Sequence, residues 1–234
     1  WVRALKGHEI DVAAQTFKAG DGLWGAFRCR SVDPLIVFGS NGRVYSVPVA
    51  MLPGGRGDGQ PITTLIDLET GTQIAHYLAA APSTQLVLAG SQGYGLMAQV
   101  TDLVSRQKAG KTFLSLEADE SLLLALMSPA SAAVTQLGVL ASSGRLLTYP
   151  VDEIKHQPKG GRGLMLMDLD KKECVLSVAC FSTSLKVLGT GRGGKAKEEL
   201  LKAGALLQFA GKRARKGKPV DGLARVMGLS TPSA

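Results

Sequence analysis

The sequence predicts an all-β protein built as a propeller-like array of about five four-stranded blades. Three observations carry that expectation. Apolar, β-forming runs recur as hairpins around a small-residue turn that ends in glycine, and the turn glycines Gly42, Gly93 and Gly144 lie 51 and 51 residues apart. A second glycine-bearing loop recurs after each hairpin, with Gly57, Gly110, Gly163 and Gly217 stepping by 53, 53 and 54. Further apolar segments bring the count to about four strands per copy, and copies of this kind must stack to bury their apolar faces.

The first copy, 1–33, is incomplete at its N-terminal side: "WVRALKGHEI" reads as the tail of a hairpin and "KAGD" (Lys18 to Asp21) as its loop. The others fall at about 34–80, 81–128, 129–180 and 181–226, giving one domain over 1–226 and a loosely ordered tail, "MGLSTPSA", over 227–234. The hairpins are "LIVFGSNGRVYSVPVAML" (from Leu35), "LVLAGSQGYGLMAQVTDL" (from Leu86) and "LGVLASSGRLLTYPVDEI" (from Leu137). Their dipeptides Asn41-Gly42, Gln92-Gly93 and Ser143-Gly144 supply the positive φ that tight turns need. The segments "TTLIDL" (63–68), "KTFLSL" (111–116) and "GLMLMDL" (163–169) read as the strands between. Helix is expected to be rare, with "AKEELLKAG" (Ala196 to Gly204) its best candidate.

One stretch, "KVLGTGRGGKAKEELLKAG" from Lys186, has the G-x-x-x-x-G-K spacing of a phosphate-binding loop in Gly189, Gly194 and Lys195. Ala196 stands where that motif needs a hydroxyl for magnesium. Gly189, Gly191 and Gly194 also satisfy G-x-G-x-x-G, without the acidic residue that would hold a ribose. The repeat register resolves both: Gly193 falls 49 residues after Gly144, so the segment is the fourth hairpin and its glycines serve a turn.

Composition narrows the classes. Hydrophobic residues make up 45% of 234, which suits a folded chain rather than a disordered one. The longest apolar run, "LLLALM" from Leu122, falls far short of the roughly 18 residues that span a bilayer. The opening does not read as a secretory leader, and its lack of Met suggests a domain of a longer protein. Cys29, Cys174 and Cys180 form no C-x-x-C pair and read as reduced thiols of a cytoplasmic protein; His8, His76 and His156 are scattered, so no metal site is expected.

Charge is segregated. Residues 1–180 carry 16 Lys or Arg and 16 Asp or Glu, whereas 181–234 carry 11 and 3, so the whole excess of +8 lies at the C-terminal end. Within the copies, the downstream loops "GGRGDGQP", "SRQKAGK", "KHQPKGGRG" and "GKRARKGK" hold Arg56, Arg106, Lys108, Lys111, Lys155, Lys159, Arg162, Lys212, Arg213, Arg215, Lys216 and Lys218 against one acid, Asp58. Acids such as Glu69, Glu117, Asp119, Glu120, Asp168 and Asp170 follow the next strand instead. Repeated cations among glycines fit neutralisation of duplex DNA phosphates, where no base need be read. Few aromatic residues are interleaved with them, which argues against stacking on single strands.

The combination of "WVRALKGHEID", "FKAGD", "NGRVYSVPVAMLPGGRGDGQPIT", "GYGLMAQVTDLVSRQKAGK" and "GRLLTYPVDE" resembles the C-terminal domain family of the A subunits of bacterial topoisomerase IV (ParC) and gyrase, over essentially the whole chain. The resemblance implies a β-pinwheel whose blades exchange strands and whose ring need not close. It implies that the outer rim binds and bends duplex DNA and presents it to a catalytic core elsewhere, with topoisomerase IV acting in decatenation and supercoil relaxation. The implied partners are duplex DNA, the ATPase subunit (ParE) and the N-terminal catalytic part of the same subunit. ATP and Mg belong to the parent enzyme; the domain alone is implied to be non-catalytic and without a cofactor, and none of Tyr45, Tyr77, Tyr94 and Tyr149 is the cleaving tyrosine. The gyrase heptapeptide Q-R-R-G-G-K-G is absent, with "PKGGRG" (from Pro158) a partial echo, which implies shallower bending than a full wrap.

The reading from another class is a propeller-type interaction domain whose basic loops meet an acidic protein. A nucleotide-binding enzyme built on Gly189 to Lys195 is disfavoured by Ala196 and by the repeat register.

Overall fold

The computed structural model describes residues 1–7, 11, 14–17, 19–55, 57–127 and 136–231. His8, Lys18, Arg56 and the tail residues 232–234 of the sequence reading lie outside them. By its internal contacts the chain divides into two compact units, Trp1–Ser83 with Val100–Phe113, and Thr84–Gln99 with Leu114–Ala234.

In chain order the strands are a hairpin of β1 (Pro34–Gly39) and β2 (Arg43–Pro48), then β3 (Ile74–Ala79); a hairpin of β4 (Gln85–Gly90) and β5 (Tyr94–Gln99), then β6 (Lys111–Thr112) and β7 (Leu122–Leu126). A third hairpin of β8 (Gln136–Ala141) and β9 (Arg145–Pro150) precedes β10 (Leu164–Met165) and β11 (Val175–Phe181). The last, β12 (Ser184–Thr190) and β13 (Ala196–Lys202), precedes β14 (Lys218–Pro219) and β15 (Arg225–Ser230). The sheets are ordered β3-β1-β2-β6, β7-β4-β5-β10, β11-β8-β9-β14 and β15-β12-β13.

The short strand after each hairpin thus pairs with the hairpin before it, as β6 does with β2, β10 with β5 and β14 with β9. The chain then returns to its own hairpin as a third strand. This strand exchange is the organisation of a β-pinwheel, and no blade is complete without the next copy.

The first strand of each of the first three hairpins is buried along nearly its whole length, which is why it reads as an unbroken apolar run, whereas β12 alternates buried and half-buried residues. In the first unit Leu35, Val37, Tyr45, Val47, Ile62 and Ile66 form one core. In the second, one core centres on Val87, Val139, Tyr149 and Leu166, and another on Leu146, Leu185, Val187 and Phe209. Each such side chain contributes about 1.5–3 kcal/mol on burial.

Several expectations change. Ala196–Lys202 is a strand, not a helix; only Ala203–Leu206 after it is α-helical, because pairing of β13 with β12 overrides local propensity. "TTLIDL" contains a short 3-10 turn at Ile62–Thr64 and no strand, while "KTFLSL" and "GLMLMDL" contribute only two-residue strands. The third strand of each blade is supplied further on, by β3, β7 and β11. Four blades are present among the described residues, three of four strands and one of three. The first copy contributes isolated bridges, Val2 to Gln60 and Ala4 to Gly54, rather than strands. Met227–Ser230, expected in a loose tail, belong to β15.

Candidate nucleic-acid interface

Each basic loop is built the same way. A short helical turn closes the hairpin: a 3-10 turn at Val49–Met51, the α-helix Val100–Leu103, a 3-10 turn at Val151–Glu153, and Ala203–Leu206 continued by Leu207–Phe209. The loop follows, and a glycine then delivers the chain to the exchanged strand. Gly110, Gly163 and Gly217 occupy that point with φ of +61°, +81° and +71°. A Cβ there would lie 2.2, 2.0 and 2.6 Å from the carbonyl oxygens of Val44, Gly95 and Leu146. In the first loop the equivalent is Gly59, not Gly57: it has φ +86° and faces the Val2 carbonyl at 2.4 Å, whereas Gly57 has open space around it. Three residues beyond the glycine, the N–H groups of Phe113, Leu166 and Val220 donate to the carbonyls of the turn glycines Gly42, Gly93 and Gly144 at 3.1, 2.7 and 2.9 Å.

The loops are also anchored through their backbones. Ser46 Oγ donates to the Ser105 carbonyl at 2.7 Å and accepts from its N–H at 2.9 Å. Met97 and Gln157 N–H groups donate to the Lys155 and Met97 carbonyls, and Gly211 N–H to that of Thr148. The Lys108 and Arg215 carbonyls accept from Asp67 and Asp168 N–H groups at 3.0 and 3.2 Å. With the main chain held, several of the side chains between these anchors face solvent.

The eleven of these cations that are described separate into two groups. Arg106, Lys108, Lys155, Lys159, Lys212, Arg215 and Lys218 are exposed, and their side chains make no hydrogen bond or ion pair among the described residues. Four others hold the scaffold. Lys111 Nζ donates to the carbonyls of Asp102 and Val104 at 2.6 and 3.1 Å, at the end of a helical turn whose last carbonyls need donors. Arg162 pairs with Glu117 at 2.6 Å and stacks its guanidinium over Tyr94 at 4.6 Å. The Arg213 guanidinium donates to the Met165 carbonyl at 2.5 Å while the backbone N–H of Arg213 donates to Glu153 at 2.9 Å. Lys216 pairs with Asp170, which pushes its ammonium pKa up by a side-chain hydrogen bond. Arg56 lies outside the described residues.

Acids that are remote from the basic loops along the chain are therefore close to them in space. Glu117 and Asp170 of one copy meet Arg162 and Lys216 of the next, because the exchanged strand carries each loop onto the preceding hairpin. The segregation read from sequence holds for seven cations and fails for these two. Arg145, absent from the sequence reading, joins Glu173 and Asp170. The Ser143 hydroxyl first, then the Asp170 N–H and Arg145, hold the Glu173 carboxyl down at about 2.

No three His, Cys, Asp or Glu side chains among the described residues are arranged for a metal ion, and no helix among them is long and apolar enough to cross a membrane. The three cysteines are unpaired; burial pushes the Cys180 thiol up to about 12. Gly189 to Lys195 joins two antiparallel strands rather than a strand to a helix, so it does not have phosphate-loop architecture.

Exchanged strands, a hairpin-and-loop repeat and loop cations presented at the same position in successive blades define a propeller-type β-pinwheel domain. Residues 33–68, 84–127 and 139–182 match the model of the family described as DNA gyrase C-terminal domain, beta-propeller. The chain belongs to that family. It is 33% identical over 235 residues to the A subunit of DNA topoisomerase 4 from Pseudomonas aeruginosa, covering 98% of this chain and 31% of the relative. With the corresponding protein of Neisseria gonorrhoeae it shares 32% over 232 residues, 95% of this chain and 29% of that one. The chain thus spans about three tenths of the curated relatives it matches. Among solved structures, the E. coli ParC C-terminal domain superposes with a TM-score of 0.86 at 27% identity, covering 98% of this chain and 94% of that one. A DNA gyrase A C-terminal domain, with TM-score 0.64 and 16% identity over 87% of this chain and 67% of its own, shares the fold.

Proposed function

We propose that this chain is the DNA-engaging, non-catalytic domain of a type IIA topoisomerase, from an A chain of the topoisomerase IV kind, acting in the bacterial cytoplasm. It binds duplex DNA through the exposed cations of its loops. The observation that carries this reading is the repetition of the site. Three successive loops, each anchored to the preceding hairpin, present Arg106 with Lys108, Lys155 with Lys159, and Lys212 with Arg215 and Lys218. A polyanion with regularly spaced charge matches such a device, and backbone contacts position a duplex without reading its sequence.

Contact with successive loops bends the duplex, at an elastic cost of about 1–6 kcal/mol offset by the phosphate contacts. Bending at this domain selects the segment delivered for strand passage in decatenation and relaxation. Cleavage, ATP turnover and magnesium belong to the ATPase partner ParE and to the catalytic part of the parent chain.

Fluorescence anisotropy on duplexes of increasing length and at several salt concentrations tests the reading. Affinity should rise with length and fall with salt by about 0.9 log units per log unit for each phosphate neutralised. Absent or length-independent binding would overturn it and point to an acidic protein as the partner of the loops.

A further inference from the structure

We infer that the tip of the β12–β13 hairpin, Gly191 to Lys195 with the adjacent Arg225, is a further phosphate-contact element that grips the same duplex independently of the basic loops. The inference rests on the DNA-binding reading and locates a contact outside the loops that carry it.

The argument comes from comparing the four hairpins. All four tips use the same turn: Gly42, Gly93, Gly144 and Gly194 N–H groups donate to the carbonyls of Gly39, Gly90, Ala141 and Gly191 at 3.0, 3.0, 2.9 and 3.1 Å. The turn glycine of the fourth is thus Gly194 rather than Gly193. In the first three hairpins pairing ends at Phe38–Val44, Ala89–Gly95 and Leu140–Leu146. In the fourth it continues through Gly189–Lys197 to Thr190–Ala196. The bulge against the third strand falls between Phe38 and Gly39 in the first blade and between Leu188 and Gly189 in the fourth, so the bases of the two hairpins are in register. The fourth tip therefore projects two residue pairs further, about 7 Å at 3.4 Å per residue.

The first three tips are lashed down. Ser40, Ser91 and Ser142 open the turns; each donates its N–H to the carbonyl of Gln73, Ser121 or Cys174, at 2.7, 2.9 and 2.8 Å. Each serine Oγ accepts the N–H of that same residue, at 3.1, 2.9 and 3.1 Å. A carboxylate adds to the clamp: Glu69 accepts from Asn41, Glu120 from the Gln92 N–H, and Glu173 from Arg145. In the fourth turn Arg192 stands at the serine position, and Lys197 Nζ donates to the Gly222 carbonyl at 2.7 Å.

What replaces the clamp is cationic and open. Arg192 and Lys195 are exposed, and Arg225 lies directly across from Thr190 on β15. None of the three side chains has a hydrogen bond or ion pair among the described residues, and a Cβ at Gly193 or Gly194 would meet nothing within 4 Å. The only acids on β13, Glu198 and Glu199, lie further down the strand, beside Lys186 at 2.9 Å and Lys197 at 3.8 Å. A turn that needed only to reverse the chain would require neither the added length nor the two cations. Free arginine and lysine on an extended, glycine-rich tip suit phosphate oxygens, which a small backbone lets approach closely.

Anisotropy with the whole chain and a long duplex tests this, using Arg192→Glu with Lys195→Glu, and separately replacement of Gly191–Lys195 by Asn-Gly. Loss of two phosphate contacts should lower the salt slope by about 1.8, so the affinity ratio of wild type to variant falls about 12-fold between 50 and 200 mM salt. Circular dichroism melting should be unchanged, and excess ATP should not displace the duplex. If wild type binds DNA while both variants bind it with the same slope, the tip inference is overturned and the loop reading stands. Competition by ATP at the tip would also overturn it, in favour of a nucleotide site. If wild type does not bind duplex DNA, both fall.

Discussion

Replacing Gly163 by alanine should damage the domain at the point where the third basic loop is handed to the preceding blade. The residue has φ +81°, and a Cβ would lie 2.0 Å from the Gly95 carbonyl oxygen and 2.2 Å from its carbon, both backbone atoms of β5 that cannot rotate away. The left-handed conformation alone costs an alanine about 1–2 kcal/mol. Displacing the facing strand adds about 1–3 kcal/mol, as overpacking does in cores. The total of about 2–5 kcal/mol is a large share of the 5–15 kcal/mol typical of domain stability. Gly193→Ala isolates the first contribution, since that residue has φ +92° with nothing within 4 Å. Urea and thermal unfolding followed by circular dichroism should place Gly163→Ala about 1–3 kcal/mol below Gly193→Ala, or roughly 2–12 °C lower in Tm. Equal destabilisation would refute the argument that strand exchange depends on close backbone approach at this glycine.

The loop cations should separate by role. Alanine at Lys155 and Lys159, or at Lys212 and Arg215, should weaken duplex binding with melting unchanged, whereas Arg162→Ala and Arg213→Ala should lower Tm; a common effect on binding alone would show that these two side chains do not hold the scaffold. Glu173 supplies a pH signature. Its folded-state pKa of about 2 lies below the ordinary value of 4.5, so its stabilisation is complete above the unfolded value and is lost as pH falls through 4 toward 2. Glu173→Gln should lower stability at neutral pH and flatten that acid limb in a series of urea titrations; an unchanged profile would exclude the clamp. Finally, the Tyr149 hydroxyl is buried without a hydrogen-bond partner among the described residues, so Tyr149→Phe should leave stability equal or raise it by about 1 kcal/mol. A loss above that amount by calorimetry would mean the hydroxyl has a partner.

Hairpins were legible because their signals are local. "NG", "QG" and "SG" turns between apolar runs depend only on residues near in sequence, and all four hairpins appear where the period puts them. Strands of two residues were not legible as such: β6, β10 and β14 are short because each crosses one edge of a foreign hairpin before turning away. The third strands were missed for a related reason. "IAHYLA" and "VLSVACF" become strands by pairing with β1 and β8, far back in the chain, rather than by conspicuous local pattern. "AKEELLK" failed in the opposite direction, since helix-favouring residues yield to a partner strand once Thr190 and Ala196 are held opposite each other.

The repeat, the all-β class and the inventory of loop cations follow from the sequence alone, because periodicity and turn chemistry are properties of residues close together in the chain. Which cations remain free was decided only by tertiary structure. Arg162 and Lys155 look alike in "KHQPKGGRG", yet strand exchange lays Arg162 against Glu117 and Tyr94 and leaves Lys155 in solvent. The same holds for the turns. Ser142 and Arg192 occupy one position in the repeat, and only the approach of the third strand shows that the first is clamped and the second is open. Ion pairing and clamping join residues roughly 30 to 50 positions apart, and no local pattern encodes them before the blades are assembled.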